Sequence, residues 1–155
     1  MIPAPFLLYL GSNADPLGIK TSRGIAEFRR DDCVGEFRHD DCPQTLGLPR
    51  LTMAEAANAG ARTLVLGIAG AGGKLPAELI DDAAEALEAG MNVAAGLHER
   101  LRDQPRLMAL ARERGLQLFD VRDPPANLSV GKGCGESLSW MSLTHAGHRT
   151  PGSIR

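Results

Sequence analysis

Short runs of apolar residues alternate along the chain with segments that carry an apolar stripe at helical spacing. The apolar runs predict strands at residues 6–10, 33–37, 63–68, 91–96 and 116–121. The striped segments predict helices at residues 19–29, 53–59, 77–89 and 105–114, and a brief helical segment at 97–101. Residues 63–68 are rich in β-branched and apolar side chains, so we expect this strand at the centre of the sheet.

The alternation of strands and helices predicts the fold class. Units of about 30 residues, each with a strand and a helix, indicate βαβ repeats joined by right-handed crossovers. The sequence therefore predicts an α/β fold, a Rossmann-like, doubly wound, mainly parallel sheet with flanking helices. Residues 1–126 are assigned to this domain. Residues 127–155 are assigned to a linker remnant and an irregular C-terminal tail, because Gly, Ser, Thr and His accumulate there.

Local signals mark several helix ends and one long loop. Thr52, followed three residues later by Glu55, predicts a capping box that opens a helix at residue 53. Pro76 suits the first position of the next helix, and Gly90 suits its end. Residues 38–49 carry Asp, Pro and Gly at close intervals and predict a loop.

Composition and charge exclude several classes of protein. The chain has 155 residues, and its 17 Lys and Arg against 19 Asp and Glu give a net charge of −2, so no basic excess indicates nucleic acid or an anionic membrane. No apolar run approaches the roughly 18–20 residues that cross a bilayer, and no basic segment precedes the first apolar run. The three cysteines are irregularly spaced, which argues against a disulfide framework. We therefore expect a soluble cytoplasmic protein with reduced thiols.

The glycine-rich segment after the third strand is the first candidate site. Gly70, Gly72 and Gly73 lie between a predicted strand and a predicted helix, where free backbone N–H groups and a helix N-terminus favour an anion. A dinucleotide fingerprint would need glycine rather than Leu75, and a P-loop would need glycine rather than Ile68. The alternative interpretation is a tight turn that lets the helix approach the sheet.

Further candidates follow the other strands. Gly11 ends the first strand, and Lys20 and Thr21 on the next helix offer a cation and a hydroxyl to a phosphate or carboxylate. His98 follows the fourth strand and suits an acid, a base or a ligand contact. Glu36 stands where a ribose-binding acid would lie in a dinucleotide-binding unit. Against these interpretations, Lys20 and His98 are also typical surface residues.

A metal site is the alternative interpretation of the loop around His39. Cys33, His39 and Cys42 form a Cys-x₅-His-x₂-Cys array, which lacks the closely paired ligands of zinc sites and a clear fourth ligand. A polar loop flanked by thiols explains the same residues. We predict no metal.

An ordered set of motifs resembles the N-terminal Rossmann-like domain of the D-glutamate N-acetyltransferase family. The motifs run from Pro5 to Gly133 and include Leu8-Tyr9-Leu10-Gly11, Lys20-Thr21, Cys33-Val34-Gly35, Leu46-Gly47-Leu48-Pro49, Thr63-Leu64-Val65-Leu66-Gly67, Ala71-Gly72-Gly73, Ala95-Gly96-Leu97-His98 and Phe119-Asp120-Val121-Arg122. In that family a P-loop-type domain follows, and the activity is acetyl transfer from acetyl-coenzyme A to D-glutamate in D-amino-acid catabolism. Lys20, Thr21, Gly72, Gly73, His98 and Arg122 match positions of that family, and the resemblance assigns them no specific chemical role; together with Gly11 and Gly70 they are our predicted ligand-binding residues.

The resemblance and the residues together give the expected function. We expect a truncated N-terminal domain that binds an anionic small molecule or coenzyme and is inactive alone, because the glycine-rich loop that opens the second domain is missing. Acetyl-coenzyme A is the cofactor that the resemblance implies, and no cofactor follows from the residues themselves. Two alternatives stay open: a non-catalytic interaction or homo-oligomerisation module, and an NAD-binding oxidoreductase domain.

Overall fold

A computed structural model of the chain describes residues 1–68 and 75–122. The strands are β1 Phe6–Gly11, β2 Cys33–Arg38, β3 Thr63–Leu66, β4 Asn92–Ala95 and β5 Leu118–Asp120, and the α-helices are α1 Lys20–Phe28, α2 Met53–Asn58, α3 Ala77–Glu88 and α4 Pro105–Arg114. Short 3-10 turns lie at Pro16–Ile19, Arg30–Asp32 and Leu101–Asp103. The predicted boundary at residue 126 and the predicted tail lie outside the described residues.

The strands form a parallel sheet in the order β2-β1-β3-β4-β5. β3 is the central strand, as its composition predicts, and Thr63 pairs with Phe6 on one side and with Asn92 on the other. Within the described residues the sheet is therefore entirely parallel, and the predicted α/β, doubly wound architecture is confirmed.

Alternate residues of the strands face two separate layers of helices. Leu7 and Leu64 belong to a large core with α2, α3 and α4. Phe6 and Leu8 point to the opposite face, where they pack with Ala26 of α1. Right-handed crossovers explain this division. The chain moves in one direction along the sheet from β1 to β2 and in the opposite direction in every later crossover, so α1 lies on one face and the other three helices lie on the other.

The helix termini agree with the sequence signals except at one proline. Thr52 accepts from the Glu55 N–H while the Glu55 carboxylate accepts from the Thr52 N–H, which confirms the capping box. Pro76 was expected as the first helical residue, but it is the N-cap, with an extended ψ of 149°. Gly115 ends α4 in the left-handed conformation, with φ 66°, which glycine adopts without steric cost.

The brief helical segment predicted at residues 97–101 is wrong. Residues 97–100 form no helix, and a 3-10 turn starts instead at Leu101. The Asp120 carboxylate on β5 accepts the N–H of Leu101 at 2.7 Å and so opens the turn there. A contact between residues 19 positions apart leaves no trace in a local hydrophobic pattern.

The third strand ends at Leu66, two residues earlier than predicted. Gly67 leaves the ladder because its carbonyl accepts the N–H of Ser22, at 3.2 Å, rather than that of a neighbouring strand. This bond ties the first turn of α1 to the end of β3.

None of the helices in the described ranges combines the length and the apolar character needed to cross a membrane.

Replacement of Gly67 by alanine should destabilise the domain. The new Cβ would lie 2.7 Å from the backbone nitrogen of Ser22, a residue with no exposed surface. We expect Gly67→Ala to lower the free energy of unfolding by about 1–3 kcal/mol, as overpacking does, and urea denaturation measures this change.

The matched control is Gly24→Ala in α1, where no atom lies within 4 Å of the added Cβ. We expect this change to raise the free energy of unfolding by up to about 1 kcal/mol, because alanine is the better helix former. Equal effects of the two substitutions would contradict the close approach of α1 to Gly67.

Candidate ligand site at the carboxyl edge of the sheet

The direction of the chain reverses between two neighbouring strands. After β1 the chain crosses to the edge strand β2, whereas after β3 it moves the other way to β4. Ligands of doubly wound sheets bind beyond the carboxyl ends of the strands at such a reversal. A cleft of about 270 Å³ lies at this point, and it is lined by Gly11 to Ala14 after β1, by Ile68 after β3, and by Glu78 on α3.

Gly11, Lys20 and Thr21 all lie at this edge. Gly11 is buried, lines the cleft and has a left-handed φ of 59°. Lys20 and Thr21 are exposed in the first turn of α1. The next residue, Ser22, fixes that turn, because its hydroxyl donates to the Tyr9 carbonyl at 3.1 Å and its N–H donates to Gly67.

His98 and Arg122 are brought together after β4 and β5. Both side chains are exposed, and Nη1 of Arg122 lies 3.3 Å from Nε2 of His98. The guanidinium donates in this contact, so the imidazole nitrogen accepts. The two residues therefore form one polar group at the carboxyl edge.

Gly70, Gly72 and Gly73 lie outside the described residues, but both flanks of their segment are anchored. Before the segment, Gly67 is held by Ser22. After it, the N–H of Leu75 donates to the Glu99 carboxylate at 2.6 Å. The described residues on its two flanks, Gly67 and Leu75, are thus each fixed by a hydrogen bond to another part of the chain.

A buried hydrogen-bonded cluster supports the α3 side of the cleft. The Tyr9 hydroxyl donates to Oδ2 of Asp82 at 2.6 Å, and Nε2 of His39 lies 2.8 Å from the same oxygen. Asp82 is only 7% exposed. Nε2 of His39 also lies 3.4 Å from Oε1 of Glu78, which accepts from the Ser12 hydroxyl at 3.2 Å.

The environment of the cluster sets its protonation. Burial, reinforced by the hydrogen bond to Asp82, raises the pKa of Tyr9 far above its ordinary value, so the hydroxyl stays a donor. Burial lowers the pKa of His39, but the hydrogen bond to Asp82 and the charges of Asp82, Glu78 and Asp41 outweigh it and leave the pKa raised. The contacts with Asp82 and Glu78 therefore favour the charged form of the His39 imidazole.

Sequence reasoning missed this cluster. In the sequence, Tyr9 falls within the first apolar run, Asp82 within the third long helical segment, and His39 in the loop beside Cys33 and Cys42. One signal was present: Asp82 lies three residues after Leu79 and four before Ala86, both buried, so it falls on the inward stripe of α3. An acid in such a stripe requires a partner.

The cysteines near His39 have other contacts. The buried Cys42 thiol donates to the Asn13 carbonyl at 3.3 Å, and the half-buried Cys33 thiol donates to the Arg29 carbonyl at 3.3 Å. Burial raises the pKa of Cys33. Within residues 1–68 and 75–122, no group of three or more His, Cys, Asp or Glu side chains is arranged to hold a metal ion.

Glu36 holds a loop rather than facing the cleft. Its side chain is 1% exposed, and its carboxylate accepts from the Thr45 hydroxyl at 2.7 Å, the Leu46 N–H at 2.6 Å and Nε of Arg38 at 3.2 Å. A ribose-binding acid would have to present free oxygens to the ligand. This use of Glu36 argues against the NAD-binding alternative.

Loss of the Glu36 carboxylate should destabilise the domain. We expect Glu36→Ala to lower the free energy of unfolding by about 1.5–3 kcal/mol, because it removes a buried carboxylate that accepts hydrogen bonds from Arg38, Thr45 and Leu46. Urea denaturation of Glu36→Ala and of the exposed control Glu27→Ala compares the two. A Glu36 effect no larger than that of Glu27 would show that the loop does not depend on this carboxylate.

The stability contributed by His39 should depend on pH. The folded pKa is raised, so the contribution is fully present below about pH 6.5, the unfolded value, and is lost as the pH rises through the folded pKa. The difference in unfolding free energy between the protein and its His39→Asn variant should therefore shrink as the pH rises above about 6.5 and passes through the raised folded pKa.

The control for this prediction is an Asp82→Asn background. There the same His39→Asn change should lose most of its pH dependence, because the principal carboxylate is gone. An identical pH profile in both backgrounds would show that Asp82 does not stabilise the imidazolium.

Comparison with known proteins supports a single family. The family model of a Rossmann-like domain of unknown function, DUF1611_N, matches residues 31–124. A crystal structure of a DUF1611 family protein from Anabaena variabilis superposes with a TM-score of 0.68 at 27% identity, over 84% of this chain and 40% of that one.

Two curated relatives bear the name D-glutamate N-acetyltransferase. The protein from Tritonibacter scottomollicae is 43% identical over 133 residues, and that from a Pseudoalteromonas species is 38% identical over 132 residues. The chain spans about 40% of the length of each relative. The resemblance inferred from the motifs is confirmed: the chain belongs to the DUF1611_N family of Rossmann-like domains and corresponds to an N-terminal domain of the D-glutamate N-acetyltransferase family.

Proposed function

We propose that this domain binds an anionic small molecule, acetyl-coenzyme A or D-glutamate, at the carboxyl edge of its sheet. The observation that carries the proposal is the convergence of Gly11, Lys20, Thr21, His98 and Arg122 on that edge, around the anchored ends of the glycine-rich segment. They follow or adjoin the ends of β1, β3, β4 and β5. Their positions match the region where doubly wound sheets bind ligands.

The charges at this edge are divided between the two faces of the sheet. On the α3 side, Glu78 and Asp82 are negative, and His39 offsets only part of that charge. On the α1 side, Lys20 opens a nine-residue helix whose N-terminus carries partial positive charge. Arg122 adds a permanent cation beyond β5. An anion is therefore better accommodated on the α1 side of β3 than deep in the α3 side of the cleft.

In this proposal, the domain binds the ligand, and acetyl transfer belongs to a longer protein. The chain spans 40% of the relatives named D-glutamate N-acetyltransferase. We propose that the domain is inactive alone and that the remaining part of such a protein completes the catalytic site.

Calorimetric titration of the chain with acetyl-coenzyme A, with D-glutamate and with both together tests the proposal. We expect Arg122→Gln to weaken binding roughly fivefold, corresponding to about 1 kcal/mol for an exposed charge contact. The matched control is Arg62→Gln, which removes an exposed arginine just before β3, at the opposite edge of the sheet.

Each outcome bears on a different part of the proposal. Absence of heat with every ligand would remove the binding function. Binding that Arg122→Gln and Arg62→Gln weaken equally would remove the proposed location and leave only a general charge effect. Raising the salt concentration should weaken binding, because the contacts are exposed.

A further inference from the structure

One face of the sheet is only partly covered within the described residues. Helices α2, α3 and α4 share one core with the inward side chains of the sheet, whereas α1 is the one described helix on the other face, where Ile2, Ala4, Leu46 and Leu48 also pack. There α1 lies over Phe6 and Leu8 of β1. Beside it, a groove of about 340 Å³ runs over β3 and β4, lined by Thr21, Ile25, Val65, Ala94 and Val121 among others.

The groove is an apolar part of a sheet face that helices normally cover in folds of this class. Strands of parallel sheets are normally buried on both faces, because their connections place helices on each side. Val65 of β3 is only half-buried, and Val121 is 57% exposed. Val65 and Val121 therefore leave apolar surface beside α1 that no described helix covers.

The path of the chain indicates what fills the groove. The Val121 N–H donates to the Ala95 carbonyl at 2.9 Å, which sets Val121 at the rim beside Gly96. Polypeptide that continues from β5 therefore starts at the groove. The curated relatives are longer, since 60% of each lies beyond the 40% that this chain matches.

We propose that the groove binds an amphipathic α-helix contributed by the polypeptide that follows β5 in the longer members of the family. An α-helix is the element that covers a parallel sheet in doubly wound folds. The opposite core already holds three helices, so the open position lies beside α1. The helix presents a stripe of aliphatic residues to Ile25, Val65 and Val121 and a polar face to solvent.

A helix bound in the groove joins this domain to the rest of the longer protein close to the proposed ligand site. Thr21 both lines the groove and belongs to the first turn of α1, next to Lys20. A helix seated in the groove therefore reaches the α1 side of the carboxyl edge. The groove itself is inferred from packing alone and does not depend on ligand binding.

Photo-cross-linking in the full-length Tritonibacter relative tests the proposal. A benzoylphenylalanine is placed at the position aligned with Thr21, which is exposed and lines the groove, and in a control protein at the position aligned with Arg112, exposed on α4. Mass spectrometry then identifies the joined peptides. We expect the Thr21 position, and not the control, to join to a peptide beyond the region that matches this chain.

Isotope-mixed protein separates the remaining outcomes. Cross-links between differently labelled copies at the Thr21 position would show that a second copy fills the groove and would overturn the proposal. The proposal would also be overturned if no specific cross-link forms there and carbene footprinting labels the aligned groove residues of the relative as strongly as those of the shorter chain. Strong protection of the groove positions in the relative alone supports the proposal, provided that the position of Leu17, which is exposed in this chain, is labelled in both proteins.

Discussion

Burial of β1 on both faces and both edges is the constraint on which the rest of the structure depends. All six of its residues are buried, so the strand needs a partner on each side and a layer of helices on each face. Right-handed crossovers satisfy this by placing α1 on one face and α2, α3 and α4 on the other. The same arrangement reverses the chain direction between β1 and β3. The reversal opens a cleft at the carboxyl edge, and among the described helices only α1 covers the second face of the sheet.

Much of the fold could be predicted because its elements are specified locally. The apolar runs mark all five strands, and Thr52 with Glu55 marks the start of α2. The order of the strands could not be predicted, because parallel pairing joins distant segments and leaves no local pattern. The error at residues 97–101 has the same origin. The turn at Leu101 depends on Asp120, which lies on another strand.

The candidate site also contains residues that the sequence identified and residues that it did not. Positions that directly follow strands, such as Gly11, His98 and Arg122, could be identified because the carboxyl ends of parallel strands share one edge. The contact between His98 and Arg122 follows from the pairing of β4 with β5. Tyr9, His39 and Asp82 meet across 43 and 73 positions of the chain, so only the buried placement of Asp82 on α3 hinted at them. Their pairing sets the charge beneath the cleft.

Mapping of backbone amide chemical shifts by NMR, during titration with acetyl-coenzyme A and D-glutamate, tests most directly whether the carboxyl edge binds an anion. The largest changes should occur at Gly11, Ser22, Gly67, His98 and Val121, which surround the α1 side of that edge. Changes concentrated instead at Arg62, Asn92 and Gln117, at the amino edge of the same strands, would contradict the placement of the ligand site.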